Sequence, residues 1–172
     1  MLQAVKRNVQ AVLHGVITID EPSYDCDGTH TARDVARYII STCTEKNTAI
    51  SNLQLQKILY YVQATFLTKY RRALFTDEIE AWQFGPVVRS VYREYCGYGA
   101  AAIYERKEPE EAFSDEEMSL IWQVVDDKLK KDPWDLVEET HAKGKPWDMI
   151  YQGGVGRMKI IPKEVIAEYE CA

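Results

Sequence analysis

Residues 52–70, beginning Asn52-Leu-Gln-Leu-Gln-Lys57 and running through Tyr60-Tyr61-Val62 to Tyr70, predict a helix that is apolar on two faces. One stripe consists of Leu55, Ile58, Leu59, Val62, Phe66 and Tyr70, and a second of Leu53, Tyr60, Ala64 and Leu67. A surface helix needs only one apolar stripe, so a helix with two requires partners on more than one side and belongs at the centre of the fold. Ser51 and Asn52 supply its N-cap. The rest of the chain has to be arranged around this segment.

Helices are readable on both sides of it. Thr31 and Asp34 form a capping box ahead of Ala32, Val35, Ala36, Ile39, Ile40 and Cys43. Ser114 and Glu117 form another, ahead of Met118, Ile121, Trp122 and Val125. Asp132-Pro133 opens a helix with Trp134, Leu136, Val137 and Thr140 inward, while Pro146 and Pro162 start two short ones. Pro86 is expected at the first position of a helix running to about Tyr95, because its fixed φ suits that place. Two short extended runs, 78–83 and 157–161, are expected to pair with each other. These elements predict a mainly α fold, a compact six- to seven-helix domain with one small two-stranded β-ribbon, over residues 30–172. Residues 1–29 read as an extension: an amphipathic helix with the narrow stripe Leu2, Val5, Val9, Val12 and Leu13, then a short strand at 16–19 and a loop.

Composition removes several classes of function. No stretch approaches the ~20 apolar residues of a membrane span, and no secretory segment is recognisable, so the expected location is the cytoplasm. A net charge of −6 argues against nucleic acid as the main partner, and suits either plain solubility or a basic protein partner. Cys26-x-x-x-His30 has no second close pair to complete a tetrahedral site, so no metal is expected. Gly153-Gly-Val-Gly156 lacks the Lys-Ser/Thr of a phosphate loop and reads as a turn, so no cofactor is expected.

Three residues merit a chemical reading beside a structural one. Lys57 is the one charged residue in the apolar zone of the central helix, and a buried lysine needs a partner or loses its charge. Glu80 is its expected partner. His141 lies near a helix end, where a hydrogen-bonded histidine is common, and no serine or cysteine stands at a telling distance from it. Trp82, Trp122, Trp134 and Trp147 all fall on apolar faces and are expected in the core.

The run Leu55-Gln-Lys-Ile-Leu-Tyr-Tyr61, then Glu80-Ala-Trp-Gln-Phe-Gly-Pro-Val-Val88, then His141 and Pro146-Trp147, resembles the SocA-like antitoxin family, also called the Panacea domain. The resemblance spans roughly residues 30–170, and residues 1–29 have no counterpart in the minimal domain. Its signature falls here on Leu55, Lys57, Tyr61, Glu80, Trp82 and Phe84. It continues through Gly85, Pro86, Val87, Tyr92, His141, Pro146 and Trp147, as residues that shape the fold. The resemblance implies a non-enzymatic antitoxin encoded beside a small toxin in bacteria or phages, neutralising that cognate protein toxin by direct binding. Known toxins of this kind include alarmone-synthetase-like enzymes, and in one founding case the antitoxin also delivers the toxin to an ATP-dependent protease. The stripe Leu2, Val5, Val9, Val12 and Leu13 is then a candidate toxin-binding element. Two other readings stand beside this one: a phage-encoded host-modulating protein without a toxin, and an enzyme using Lys57, Glu80 and His141 in a cleft.

Overall fold

A computed structural model describes residues 24–170. The expected N-terminal helix, with Leu2, Val5, Val9, Val12 and Leu13, and the short strand at 16–19 lie outside the described residues. Among those described, seven α-helices surround one small antiparallel ribbon. They are α1 (Ala32–Glu45), α2 (Asn52–Tyr70), α3 (Arg89–Tyr95), α4 (Asp115–Lys128), α5 (Pro133–Thr140), α6 (Pro146–Tyr151) and α7 (Lys163–Tyr169). The ribbon joins β1 (Glu80–Trp82) to β2 (Gly85–Val87).

α2 is the axis of the molecule, packed by α1, α3, α4, α5, α7 and β2. Leu55, Ile58, Leu59, Val62, Phe66 and Leu67 are all completely buried. Ser51 caps α2 by accepting from the Gln54 backbone N–H, and the Gln54 side chain reaches back to the Ser51 N–H. α4 begins with the same reciprocal box between Ser114 and Glu117. In α1 Thr31 accepts from the Asp34 N–H, whereas the Asp34 carboxylate takes the Thr31 hydroxyl and the Glu110 N–H.

The central helix also buries polar side chains, and each holds a loop. Gln63 donates to the Phe75 carbonyl and accepts from the N–H groups of Leu74 and Phe75, which pulls those two side chains into the core. Gln56 accepts from the Val88 N–H at 2.9 Å and donates to Asn52. Buried amides in this position are stabilising only because their donors and acceptors are matched.

The ribbon departs from expectation. Residues 157–161 do run beside 79–81, through Ala81 N–H to Lys159 O, Met158 N–H to Ala81 O and Ile161 N–H to Ile79 O. The two-stranded pairing, however, joins β1 to residues expected to begin a helix, and α3 starts only at Arg89. The register explains how Pro86 is accommodated. It stands opposite Ala81, whose own N–H and C=O are directed to the 157–161 segment. This is a non-hydrogen-bonded pair, so the missing proline N–H costs the ribbon nothing. Gln83 and Phe84 form the two-residue turn, placing Phe84 at its tip.

Residues 24–30 are tied to the loop after α2. Asp25 N–H donates to Arg71 O, Ala73 N–H to Asp25 O, His30 N–H to Leu74 O, and Thr76 N–H to His30 O.

Candidate functional site

The N-terminal half of α2, the ribbon turn, α3 and residues 157–158 enclose a cleft of about 480 Å³. Lys57 and Gln56 form part of its lining, with Trp82 and Phe84 from the ribbon, Tyr92 from α3, and Arg157 and Met158 opposite. Helical spacing brings Gln56 and Lys57 to this side of α2, and the tight turn carries Phe84 out over the mouth.

Lys57 has no exposed surface. Its Nζ donates to the Pro86 carbonyl at 3.0 Å. Burial pushes its pKa down to about 7, because a charged ammonium loses hydration there. The expected ion pair with Glu80 is not formed. Strand alternation puts Glu80 and Trp82 on one face and Ala81 on the other, so the Glu80 carboxylate accepts from its neighbour's indole N–H at 2.8 Å and from Arg89 at 2.8 Å. Lys57 meets the ribbon's backbone instead. Gly85 makes that approach possible. Its φ is +100°, and a Cβ there would stand 2.7 Å from both Lys57 Cε and Thr140 Oγ1.

Behind the ribbon, Trp147 donates its indole N–H to the Trp82 carbonyl at 2.8 Å. The His141 ring lies flat on Trp147, centroids 3.6 Å apart and 5° from parallel. His141 closes the C-terminus of α5 through its backbone. Burial, together with the Lys57 charge, lowers its pKa, which favours the neutral ring, and its buried Nε2 makes no hydrogen bond among the described residues. Pro146 is buried beside Trp147 at the start of α6. The signature therefore forms one connected wall, from Lys57 through Gly85, Pro86 and Trp82 to Trp147 and His141. Leu55 lies in the core, and Tyr61 sits elsewhere under the Lys128 ammonium, 3.8 Å from its ring centroid. Lys57, Glu80 and His141 share no hydrogen bond. A nucleophile, its base and an orienting group are recognised by mutual contact, and these three do not make that arrangement.

Three of the four tryptophans expected in the core are not buried there, and Trp82 is half-buried in the cleft lining. Trp134 is 59% exposed and Phe84 48%, and their rings meet edge-to-face at 5.6 Å. Trp122 is only partly buried, under the Lys46 ammonium. Trp134 follows Pro133 in the first turn of α5, while Leu136, Val137 and Thr140 carry the buried arc. At about 100° per residue Trp134 falls roughly 110° from the centre of that arc, a signal available in the sequence. Gln56, Gln63, Arg157 and Met158 were also not legible as site or scaffold residues. The net charge of the chain misdescribes the cleft too, since its lining holds two cations, Lys57 and Arg157, and no carboxylate.

Cys26 and His30 face different partners, Glu164 for the thiol and Glu117 for the ring. Cys26, Cys43 and Cys96 are free thiols, and no described helix is long and apolar enough to cross a membrane.

Residues 55–148 match the family described as antitoxin SocA-like, Panacea domain. The chain is also similar to Antitoxin SocA of Caulobacter vibrioides (strain NA1000 / CB15N), 33% identical over 133 residues, with 71% of each chain covered. No solved structure matches. The matched segment begins at Leu55 and ends one residue past Trp147, so it takes in the whole connected wall.

Proposed function

Because the chain belongs to the SocA-like antitoxin, Panacea-domain family, we propose that it neutralises a cognate protein toxin by direct binding through the aromatic mouth of the cleft. The observation that carries this reading is the pair Phe84 and Trp134. Two large aromatic rings stand about half in water: Phe84, in the lining of a cleft that also holds Lys57, Trp82, Val87 and Tyr92, and Trp134, packed against Phe84. Rigid exposed aromatics beside a pocket are the usual anchors of protein interfaces, where they bury area at little entropic cost. The wall behind them, from Lys57 to Trp147, sets their position rather than doing chemistry. The proposed place of action is the cytoplasm, where Cys26, Cys43 and Cys96 would stay reduced.

The test is co-expression with the product of the adjacent gene, followed by mixing of the two purified proteins without any protease. Trp134→Asp and Phe84→Asp should keep the melting transition of the parent within a few degrees and lose both neutralisation and complex formation. Full neutralisation by both folded variants would move the binding surface elsewhere. Neutralisation in cells but not with purified proteins would replace direct inhibition by delivery to a protease.

A further inference from the structure

Extending the antitoxin reading, we propose that the cleft is a receptor for an acidic side chain carried between apolar residues on an exposed segment of the partner, with Arg157 receiving it at the mouth.

The sign of the charge comes from what the lining leaves unmatched. The chain has 27 acidic and 21 basic residues, yet the cleft holds Lys57 and Arg157 and no carboxylate. Arg157 is exposed and forms no ion pair among the described residues. Glu80 turns its Oε2 to Trp82 and Arg89 and makes its ion pair with Arg89, not with Arg157. The neutral amides are matched as well: Gln56 bonds Val88 N–H and Asn52, and Asn52 reaches the Tyr92 carbonyl. Lys57 uses one donor, on Pro86 O, of the three an ammonium carries. Gln83, the remaining amide of the lining, is exposed and neutral, so the one accessible charge in the cleft without a counter-charge among the described residues is the Arg157 guanidinium, and complementary charge favours a carboxylate.

The apolar flanks follow from the rim. Phe84, Tyr92 and Met158 are exposed large hydrophobes around the same cleft, and about 480 Å³ has room for a few side chains rather than a folded surface. An acid with apolar neighbours matches floor and rim together. Within the chain's own N-terminal stretch, residues 1–19 contain Lys6 and Arg7 and no acid, while Asp20 and Glu21 follow Ile19, so a 1–23 peptide is the rival occupant that the experiment includes.

The experiment uses the full chain and no toxin, so that its outcome is separate from that of the neutralisation assay. A random dodecapeptide display library is selected on the immobilised protein. The enriched peptide is then synthesised and titrated against the parent, Arg157→Glu, Phe84→Ala and Lys69→Glu. Lys69 is an exposed cation at the far end of α2 and controls for the change in net charge. The expected peptides carry Asp or Glu between apolar residues. Replacing that acid by its amide, or Arg157 by Glu, should weaken binding roughly tenfold or more, the effect of losing one close charge pair. Phe84→Ala should also weaken it, and Lys69→Glu should not. Failure of the library to enrich any peptide, enrichment without an acidic position, or equal affinity for Arg157→Glu would each overturn the proposal. So would tighter binding of a synthetic 1–23 peptide, or a Phe84-dependent dimer in sedimentation, since either would assign the cleft to this chain itself.

Discussion

Replacing Lys57 by methionine is expected to stabilise the protein at neutral pH and to remove part of its pH dependence. Methionine keeps the length and apolar stem of the side chain, while the buried amine disappears. The folded pKa is about 7, against about 10.4 for an unfolded lysine. A base with a depressed folded pKa binds fewer protons when folded, so stability rises with pH across that window. Below about pH 7 both states are protonated and the full penalty applies. Each pKa unit is worth about 1.4 kcal/mol, so burial costs on the order of 4 kcal/mol at neutral pH. Against this stands the hydrogen bond to Pro86 O, whose loss leaves a buried carbonyl unmatched at about 1–3 kcal/mol. The balance favours methionine by about 1–3 kcal/mol at pH 7, and the advantage should shrink by about 2 kcal/mol on going to pH 9. Urea unfolding of parent and variant at pH 6, 7, 8 and 9 reads that difference, because groups that do not feel the Lys57 charge cancel and His141, which does, contributes only at the acid end. A difference in stability that stays constant from pH 7 to 9 would refute the reasoning, since it would mean that Lys57 keeps its proton in the fold.

Gly85→Ala should cost at least about 2 kcal/mol, because it forces a side chain into a backbone angle of +100° and onto Lys57 and Thr140; an unchanged melting temperature would show that the ribbon can shift. Leu59→Asp should leave no cooperative transition, as an unpaired charge at a fully buried position costs several kcal/mol against a total of ~5–15; a soluble, cooperatively melting variant would remove α2 from the centre of the core. Deletion of residues 1–23 should leave the melting transition intact, since residues 24–30 keep their bonds to the 71–76 loop, and should lower neutralisation if Leu2, Val5, Val9, Val12 and Leu13 reach the toxin. Normal neutralisation by the truncated chain would exclude them from recognition. The cut falls after residue 23 so that Asp25, which accepts from Ala73 and donates to Arg71, is kept.

The helices of this protein were legible because their causes are local. The double stripe of α2, the Ser51 cap, the box Ser114–Glu117, and the prolines at the starts of α5 and α6 act over three or four residues, and the structure has each where the pattern puts it, whereas the Thr31–Asp34 box forms only its Thr31 half. The site was legible as a set of signature residues but not as a geometry. Local rules allow Pro86 to open a helix equally well. It lies in a strand because Ala81 turns its hydrogen bonds toward residues some eighty positions later, and Lys57 takes the Pro86 carbonyl. The pairing of Lys57 with Glu80 failed for the same reason, as an arginine and an indole brought in by the ribbon and α3 reached that carboxylate first. Spacing sets Trp134 off the buried arc of α5, but the exposure of Phe84 depends on which faces the other elements cover, and its type and position do not carry that information. Periodicity states that a side chain prefers to leave water. Whether it does so within this chain or against a partner is decided only when all the elements compete for the same limited interior around α2.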